Sequence, residues 1–336
     1  MQKLRLNNTF QDKNMKTFLA APPVSSFAMV MGLSGLSLSW TKLSSFANWP
    51  IANDVALGFG LLAAFVFVLL SWGLLRKQFQ APEKILEEWH HPVKSSFFAA
   101  ISVGMTLLSA VLFPYSHMGA ELLWFASAGV HLLAILAVLN AWVHRENLQV
   151  SHACPVWFIP TVGNAVIPVC GVKLGYFEFS WFFFSVGLIW WFVILVVTVY
   201  RLMFIQPGLS ERLRPTMAIF LAPPSISFVS WIALTNPISE KPLDPMGHVL
   251  IALALFFAVF LLTQIRFFYK LPFFMSWWAY SFPTASFANA MLGYAGFVPE
   301  AAPLAYFSLL ISTVIIVGLF IRTLLAIQMK DPQWVD

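Results

Sequence analysis

Apolar runs long enough to cross a bilayer alternate with short polar stretches from one end of the chain to the other. A membrane helix needs about 20 mostly apolar residues. Ten runs meet that need, at about residues 18–40, 52–75, 96–116, 119–142, 155–176, 179–205, 216–236, 247–270, 272–294 and 302–326. The connections between them are short, so consecutive spans are expected to be antiparallel neighbours.

The runs are of two kinds. Odd-numbered spans carry proline and small polar residues. Span 1 holds Pro23-Val-Ser-Ser-Phe27, span 7 holds Pro224-Ser-Ile-Ser-Phe228 and span 9 holds Pro283-Thr-Ala-Ser-Phe287, each reading P-x-x-S-F. Span 3 opens with the near-copy Pro92-Val-Lys-Ser-Ser-Phe97, and span 5 holds Pro160-Thr-Val-Gly-Asn164. The steps between these prolines are 69, 68, 64 and 59 residues, so five hairpins of similar length account for the chain. Runs within the even spans, such as 61–70 and 181–198, contain no proline and few polar groups. A helix that is apolar all round can face lipid. Freed backbone and polar side chains in mid-span are tolerated only against protein or a water-filled cavity. The expected fold is therefore an all-α polytopic membrane protein. Its ten transmembrane helices form five helical hairpins in a quasi-five-fold arrangement, with odd helices inside, even helices outside and a narrow central pore.

Composition agrees with that class. Of 336 residues, 60% are hydrophobic and 10% charged, and the mean hydropathy is +0.80. A soluble domain is about 25% charged. The net charge of +5 does not mark a nucleic-acid binder, because the basic residues fall between apolar runs. One side of the membrane receives Lys3, Arg5, Lys13, Lys16, Arg76, Lys77, Lys84, Lys94, Arg145, Arg201, Arg212, Arg214, Arg266, Lys270, Arg322 and Lys330. The other side receives only Lys42, Lys173 and Lys241. Sixteen against three places both termini in the cytoplasm. Cys154 and Cys170 lie 16 residues apart in one span, about 24 Å along a helix, which is beyond disulfide reach.

Catalytic and coupling chemistry has little to work with. His131 is the one ionisable residue expected deep in a span, on an even helix where packing is as good a reading as function. No carboxylate chain for proton relay is present, no His/Cys set has metal-ligand spacing, and no nucleotide or nucleophile-elbow motif occurs. These observations argue against an enzyme, a cofactor, a bound metal and a proton-driven pump. Gly32-Leu-Ser-Gly35 is a small-x-x-small element that allows close helix contact. The polar residues expected around the lumen are Ser25, Ser26, Ser95, Ser96, Thr161, Asn164, Ser225, Ser227, Thr284 and Ser286. Cation pores more often carry an Asp/Glu ring. The cytoplasmic loops hold sixteen basic residues against eight acidic ones, Asp12, Glu83, Glu87, Glu88, Glu146, Glu211, Asp331 and Asp336, an excess that concentrates anions. Phe282 directly precedes Pro283 in span 9. A large side chain at a proline bend can project into a lumen and close it by dewetting.

Several segments carry a resemblance: Pro23 through Leu38-Ser-Trp40, His91 to Phe97, Phe158 to Asn164, Arg214 to Pro223, and Trp278-Ala-Tyr-Ser-Phe282. With these, the chain resembles the tellurite-resistance/dicarboxylate transporter family, which includes bacterial TehA proteins and plant slow-type anion channels. The resemblance implies ten helices around a pore, a homotrimer with one pore per protomer, and a gate phenylalanine that falls on Phe282. It implies a pore lined by Pro23, Ser26, Phe27, Ala28, Ser96, Pro160, Thr161, Asn164, Pro224, Ser227, Pro283 and Ser286. Ala28 stands where the family has a small close-approach glycine. Pro283 matches the plant channels, whereas the bacterial TehA-like members have glycine there. The expected function is an anion channel for small anions such as chloride or nitrate. The alternative is a secondary transporter of C4-dicarboxylates such as malate, or an exporter linked to tellurite resistance. The expected setting is a bacterial inner membrane. Residues 1–17 and 329–336 are read as cytoplasmic tails around a channel domain at 18–328.

Overall fold

Where the backbone can bond to itself without interruption, the runs become long straight helices; where proline intervenes, they do not. The computed structural model describes residues 21–235, 242–268 and 270–329, and every regular element among them is helical. Of the predicted tails 1–17 and 329–336, all but Met329, the last residue of a helix, lie outside the described residues, as does Lys241. In chain order the apolar helices are α1 (Val24–Ala47), α2 (Ile51–Gln80), α3 (Lys94–Leu112), α4 (His117–His144), α5 (Pro155–Gly171), α6 (Phe177–Phe204), α7 (Glu211–Thr235), α8 (Pro245–Thr263), α9 (Met275–Tyr280 continuing as Ser281–Ala295) and α10 (Pro299–Gln328).

Eight of these are long and apolar enough to cross a membrane. The two outside that set are α5 and α9. Helix α5 is short and alternates between 3-10 and α geometry at Pro155–Trp157, Phe158–Val162, Gly163–Val166 and Pro168–Gly171. Helix α9 is interrupted by Pro283 and diluted by Ser281, Thr284, Ser286 and Asn289. Such helices are expected to pack against protein rather than lipid.

Burial separates the two kinds of helix. The most apolar windows of α1, α3 and α7 are 83%, 67% and 72% buried, whereas those of α2, α4, α6, α8 and α10 are between 28% and 33% buried. The long even helices present exposed rows such as Leu61, Phe65, Val68 and Trp72 on α2, as lipid-facing helices do. Each hairpin packs on itself: α1 on α2, α3 on α4, α5 on α6, α7 on α8 and α9 on α10. Each buried helix also packs on two others. Helix α1 contacts α3 and α9, α5 contacts α3 and α7, and α7 contacts α9.

The odd helices share one device. All begin as 3-10 turns, at Val24–Phe27, Lys94–Phe97, Pro155–Trp157, Glu211–Leu221 and Met275–Tyr280, before turning into α-helix. Pro160, Pro224 and Pro283 each sit third in the α segment that follows. Each α segment follows its 3-10 turn directly, and the proline ring leaves that junction one backbone N–H donor short. The hydroxyl residue after each proline donates back along its own helix. Thr161 bonds Trp157 O (3.3 Å), Ser225 bonds Leu221 O (2.7 Å) and Thr284 bonds Tyr280 O (2.8 Å).

Other hydroxyls tie helices together. Ser37 bonds Ala56 O at 2.7 Å, joining α1 to α2, and Ser39 bonds Ala285 O at 2.9 Å, joining α1 to α9. Trp278 donates to Thr323 at 2.9 Å, joining α9 to α10. A further short helix, Pro82–His90, links α2 to α3. Lys77 of α2 holds it through Glu88 at 2.9 Å and also donates to Pro22 O at 3.4 Å.

Helices α1 and α9 approach closely, and the Gly32/Gly35 element makes the contact. A Cβ on Gly32 would lie 2.4 Å from Ser281 Cβ. One on Gly35 would lie 3.1 Å from Ala285 Cβ and 3.4 Å from the Phe282 ring. Gly32→Ala should therefore force the helices apart and cost about 1–3 kcal/mol, the usual penalty of overpacking. Gly35→Ala should cost less, and Gly58→Ala, which faces open space, should cost nothing. Thermal melts of the purified variants in detergent check this ranking.

Candidate functional site

The odd helices meet around a small cavity. Its volume is about 50 Å³, and all five contribute to its wall: Ala28 and Met31 from α1, Phe97 and Val103 from α3, Phe158, Ile159, Val162, Gly163 and Val166 from α5, Ile219, Ala222 and Pro223 from α7, and Trp278, Ala279, Phe282 and Pro283 from α9. The wall is almost wholly apolar. Volume alone would admit a few waters, but an apolar cavity of this kind stays dry. Phe282 is 7% exposed, and its ring also lies against Gly35.

Of the residues predicted to line a pore, Ala28, Phe282 and Pro283 line this cavity, and Pro23 lines a wider space beyond it. The others do not touch its wall. Phe27 turns outward and meets Phe67 of α2 edge-on at 5.9 Å. Thr161 and Ser286 donate to carbonyls of their own helices, the latter to Pro283 O at 3.0 Å. Asn164 donates to Pro160 O (3.2 Å) and Thr161 O (2.9 Å). Pro160, Pro224 and Ser227 are buried within α5 and α7. Ser26 and Ser96 are buried with hydroxyls that have no hydrogen-bond partner among the described residues. The polar lumen expected from these residue types is thus an apolar one at its narrowest part. Thr161, Ser225, Thr284 and Ser286 spend their hydroxyls on carbonyls of their own helices, whereas Ser26 and Ser96 are buried without a partner and away from this wall.

Charge collects at one end. A vestibule of about 380 Å³ sits where the odd helices begin, lined by Pro23, Val24 and Ser25, by Glu88, His91, Val93, Lys94 and Phe97, and by Ser210, Arg212, Leu213, Thr216, Phe274, Met275 and Ser276. Phe97 belongs to both spaces. Arg212 lies 5.4 Å over the Phe274 ring, which fixes its guanidinium against an apolar face. Glu88 is the acidic residue of the wall, and Lys77 neutralises it. Lys94 and Arg212 thus leave the vestibule positive. The Ser276 hydroxyl is buried there without a partner among the described residues.

His91 adds a titratable group at the rim. The backbone N–H groups of Val93 and Lys94 donate to its Nδ1 at 3.1 and 3.2 Å, an arrangement that requires the unprotonated nitrogen. Desolvation, then Lys94 and His152, lower its pKa below the usual 6.5. His131, by contrast, pairs with Ser102 Oγ at 2.8 Å between α3 and α4 and lies directly behind the wall residue Gly163, where an added Cβ would come within 2.4 Å of its ring. No group of three His, Cys, Asp or Glu side chains among the described residues could hold a metal.

Sequence reasoning missed Gly35 beside Phe282, the five wall residues from α5, and Arg212. The Gly32/Gly35 spacing signalled a close contact without saying with which helix. Arg212 lies about 120 residues from Lys94 in sequence, and nothing in its own surroundings marks it as a vestibule residue.

Comparison with known proteins agrees with these features. A family model described as SLAC1, voltage-dependent anion channel, matches residues 22–326. The guard cell S-type anion channel SLAC1 of Arabidopsis thaliana is 28% identical over 321 residues, covering 92% of this chain and 56% of its own length. The S-type anion channel SLAH3 of the same plant is 27% identical, covering 89% of this chain and 49% of its own. The tellurite resistance protein TehA homolog of Haemophilus influenzae is 27% identical, covering 85% of this chain and 86% of its own. The chain thus spans about half the length of the plant relatives.

The His91 geometry fixes a pH dependence. Its pKa in the folded protein lies below that in the unfolded chain. Its contribution to stability is therefore complete above pH 6.5 and is lost as pH falls toward the lowered value. Over the same fall the vestibule gains one positive charge. A histidine-selective NMR titration, assigned with His91→Gln, should give a midpoint below 6.5.

Proposed function

The chain belongs to the SLAC1 voltage-dependent anion channel family, and on that footing we propose that it is an anion channel whose pore runs through the odd helices and is shut by Phe282. That family consists of membrane channels and transporters, not enzymes. The observation that carries the proposal is the cavity walled by all five odd helices, with Phe282 in its wall and a basic vestibule at one end.

In this reading α5 and α9 also cross the membrane, giving ten spans in five hairpins. The pairwise contacts α1–α3–α5–α7–α9–α1 support a closed quasi-five-fold ring. The channel domain is 18–328, with both termini on the vestibule side, in the cytoplasm of a bacterial cell. Lys94 and Arg212 raise the local concentration of small anions such as chloride or nitrate. Phe97 bounds the passage from vestibule to cavity. In the cavity an anion would lose its water and gain no donor, a cost of several kcal/mol or more. Phe282 narrows the space until water leaves as well, which is closure by dewetting. Movement of the Phe282 ring rewets the path. The polar residues Ser26, Ser96, Thr161, Asn164, Ser227 and Ser286, with Pro23, Phe27, Ala28, Pro160, Pro224 and Pro283, then shape the lumen that opens. Transport is downhill, because among the described residues the inner helices carry no carboxylate beyond Glu211 at the start of α7 to couple it to protons. The assembly is a homotrimer with one pore per protomer.

Chloride currents in planar bilayers test the gate. Phe282→Ala should raise conductance by tenfold or more, since lowering a barrier by about 1.4 kcal/mol has that effect. Its reversal potential should follow the chloride gradient. If Phe282 is instead only a packing residue, the variant loses about 3–5 kcal/mol of stability and conducts no better. Silence from both proteins, each intact and able to move malate in vesicles, would favour the coupled-transporter reading.

A further inference from the structure

A groove of about 610 Å³ opens beside α9 and α10 and shares no wall residue with the cavity or the vestibule. Its walls are Phe268, Phe273, Trp277 and Tyr280 on one side and Val314, Ile315 and Leu319 on the other. Gly318 lies between them, and a Cβ added there would meet nothing within 4 Å. The groove is therefore long, apolar and aromatic, with room along the α10 backbone.

One end of it is cationic. Arg322 lines the groove one turn beyond Gly318 and lies 5.8 Å over the Phe273 ring. Among the described residues it makes no ion pair. Arg266 and Lys270 flank the same end in sequence. Between Pro245 and Met329 the chain holds one acidic residue, Glu300, at the opposite end of α10. The Tyr280 hydroxyl is buried without a hydrogen-bond partner among the described residues and belongs to the same wall. Arg322 lies about 10 Å from the end of its helix, a depth from which a guanidinium reaches the phosphate layer.

An apolar groove that ends in the Arg322 guanidinium, which makes no ion pair among the described residues, fits an amphipathic anion. Basic sites between membrane helices on one face are the usual receivers of acidic headgroups. We propose that this groove is a binding site for an anionic glycerophospholipid of the vestibule-side leaflet. Its phosphate lies on Arg322 and one acyl chain lies over Gly318 against Phe268, Val314 and Leu319. The site does not depend on whether the protein conducts.

Native mass spectrometry of the purified protein, offered equal amounts of dioleoyl phosphatidylglycerol and dioleoyl phosphatidylcholine, tests it. The unaltered protein should retain phosphatidylglycerol preferentially. Arg322→Gln should reduce that preference roughly tenfold, the size of one charge-assisted contact. Gly318→Trp, which fills the groove without meeting the core, should reduce retention of both lipids. Equal retention of the two lipids by the unaltered protein would overturn the proposal, as would an unchanged preference in Arg322→Gln. A Gly318→Trp protein that keeps its lipids but changes oligomeric state would also overturn it, assigning the groove to contact between copies.

Discussion

The structure depends on one constraint, the need to satisfy backbone carbonyls in helices that proline has interrupted. In lipid such carbonyls have no partner. Pro160, Pro224 and Pro283 therefore occur on helices enclosed by other helices, and each is followed by a hydroxyl that bonds back along its own turn. The uninterrupted even helices can bear exposure, and they bear it, with about a third or less of their apolar windows buried. Inside and outside are thus assigned by proline before any side-chain packing is considered.

The same constraint shapes the candidate pore. Thr161, Ser225, Thr284 and Ser286 bond within their own helices, and the space between the five odd helices is lined by alkyl and aromatic groups. Gly32 and Gly35 let α1 and α9 approach until Ser281 and the Phe282 ring lie against glycine. A narrow apolar space excludes ions by excluding water. Charge is confined to the vestibule, where Lys94 and Arg212 act and Lys77 cancels Glu88. In the proposed channel, attraction and closure fall in different places, so that a basic mouth can coexist with a shut path.

Much of the fold was legible in the sequence. Proline in every odd span and its absence from even runs such as 61–70 and 181–198 foretold which helices would be buried, and Gly32/Gly35 foretold a close contact. Three things were not legible. Pro82–His90 forms a helix because Pro82 starts it and Glu88 meets Lys77, a pairing set by tertiary structure. The destination of the serine and threonine hydroxyls was misjudged, because residue type shows a donor but not the carbonyl it meets. The vestibule joins segments from four parts of the chain, so no local pattern could announce Arg212 beside the His91–Lys94 turn.

Thiol accessibility measures the occlusion most directly. Cys154 and Cys170 are buried and free, so introduced cysteines can be read against a low background. A membrane-impermeant anionic thiol reagent should label Ser210→Cys, an exposed residue of the vestibule, rapidly. It should leave Val166→Cys in the cavity wall unlabelled until Phe282→Ala is added. Rapid labelling of Val166→Cys with Phe282 in place would show a wet, open path and contradict the account. Continued protection of Val166→Cys after Phe282→Ala would contradict it equally, because the ring would then not be what closes the cavity.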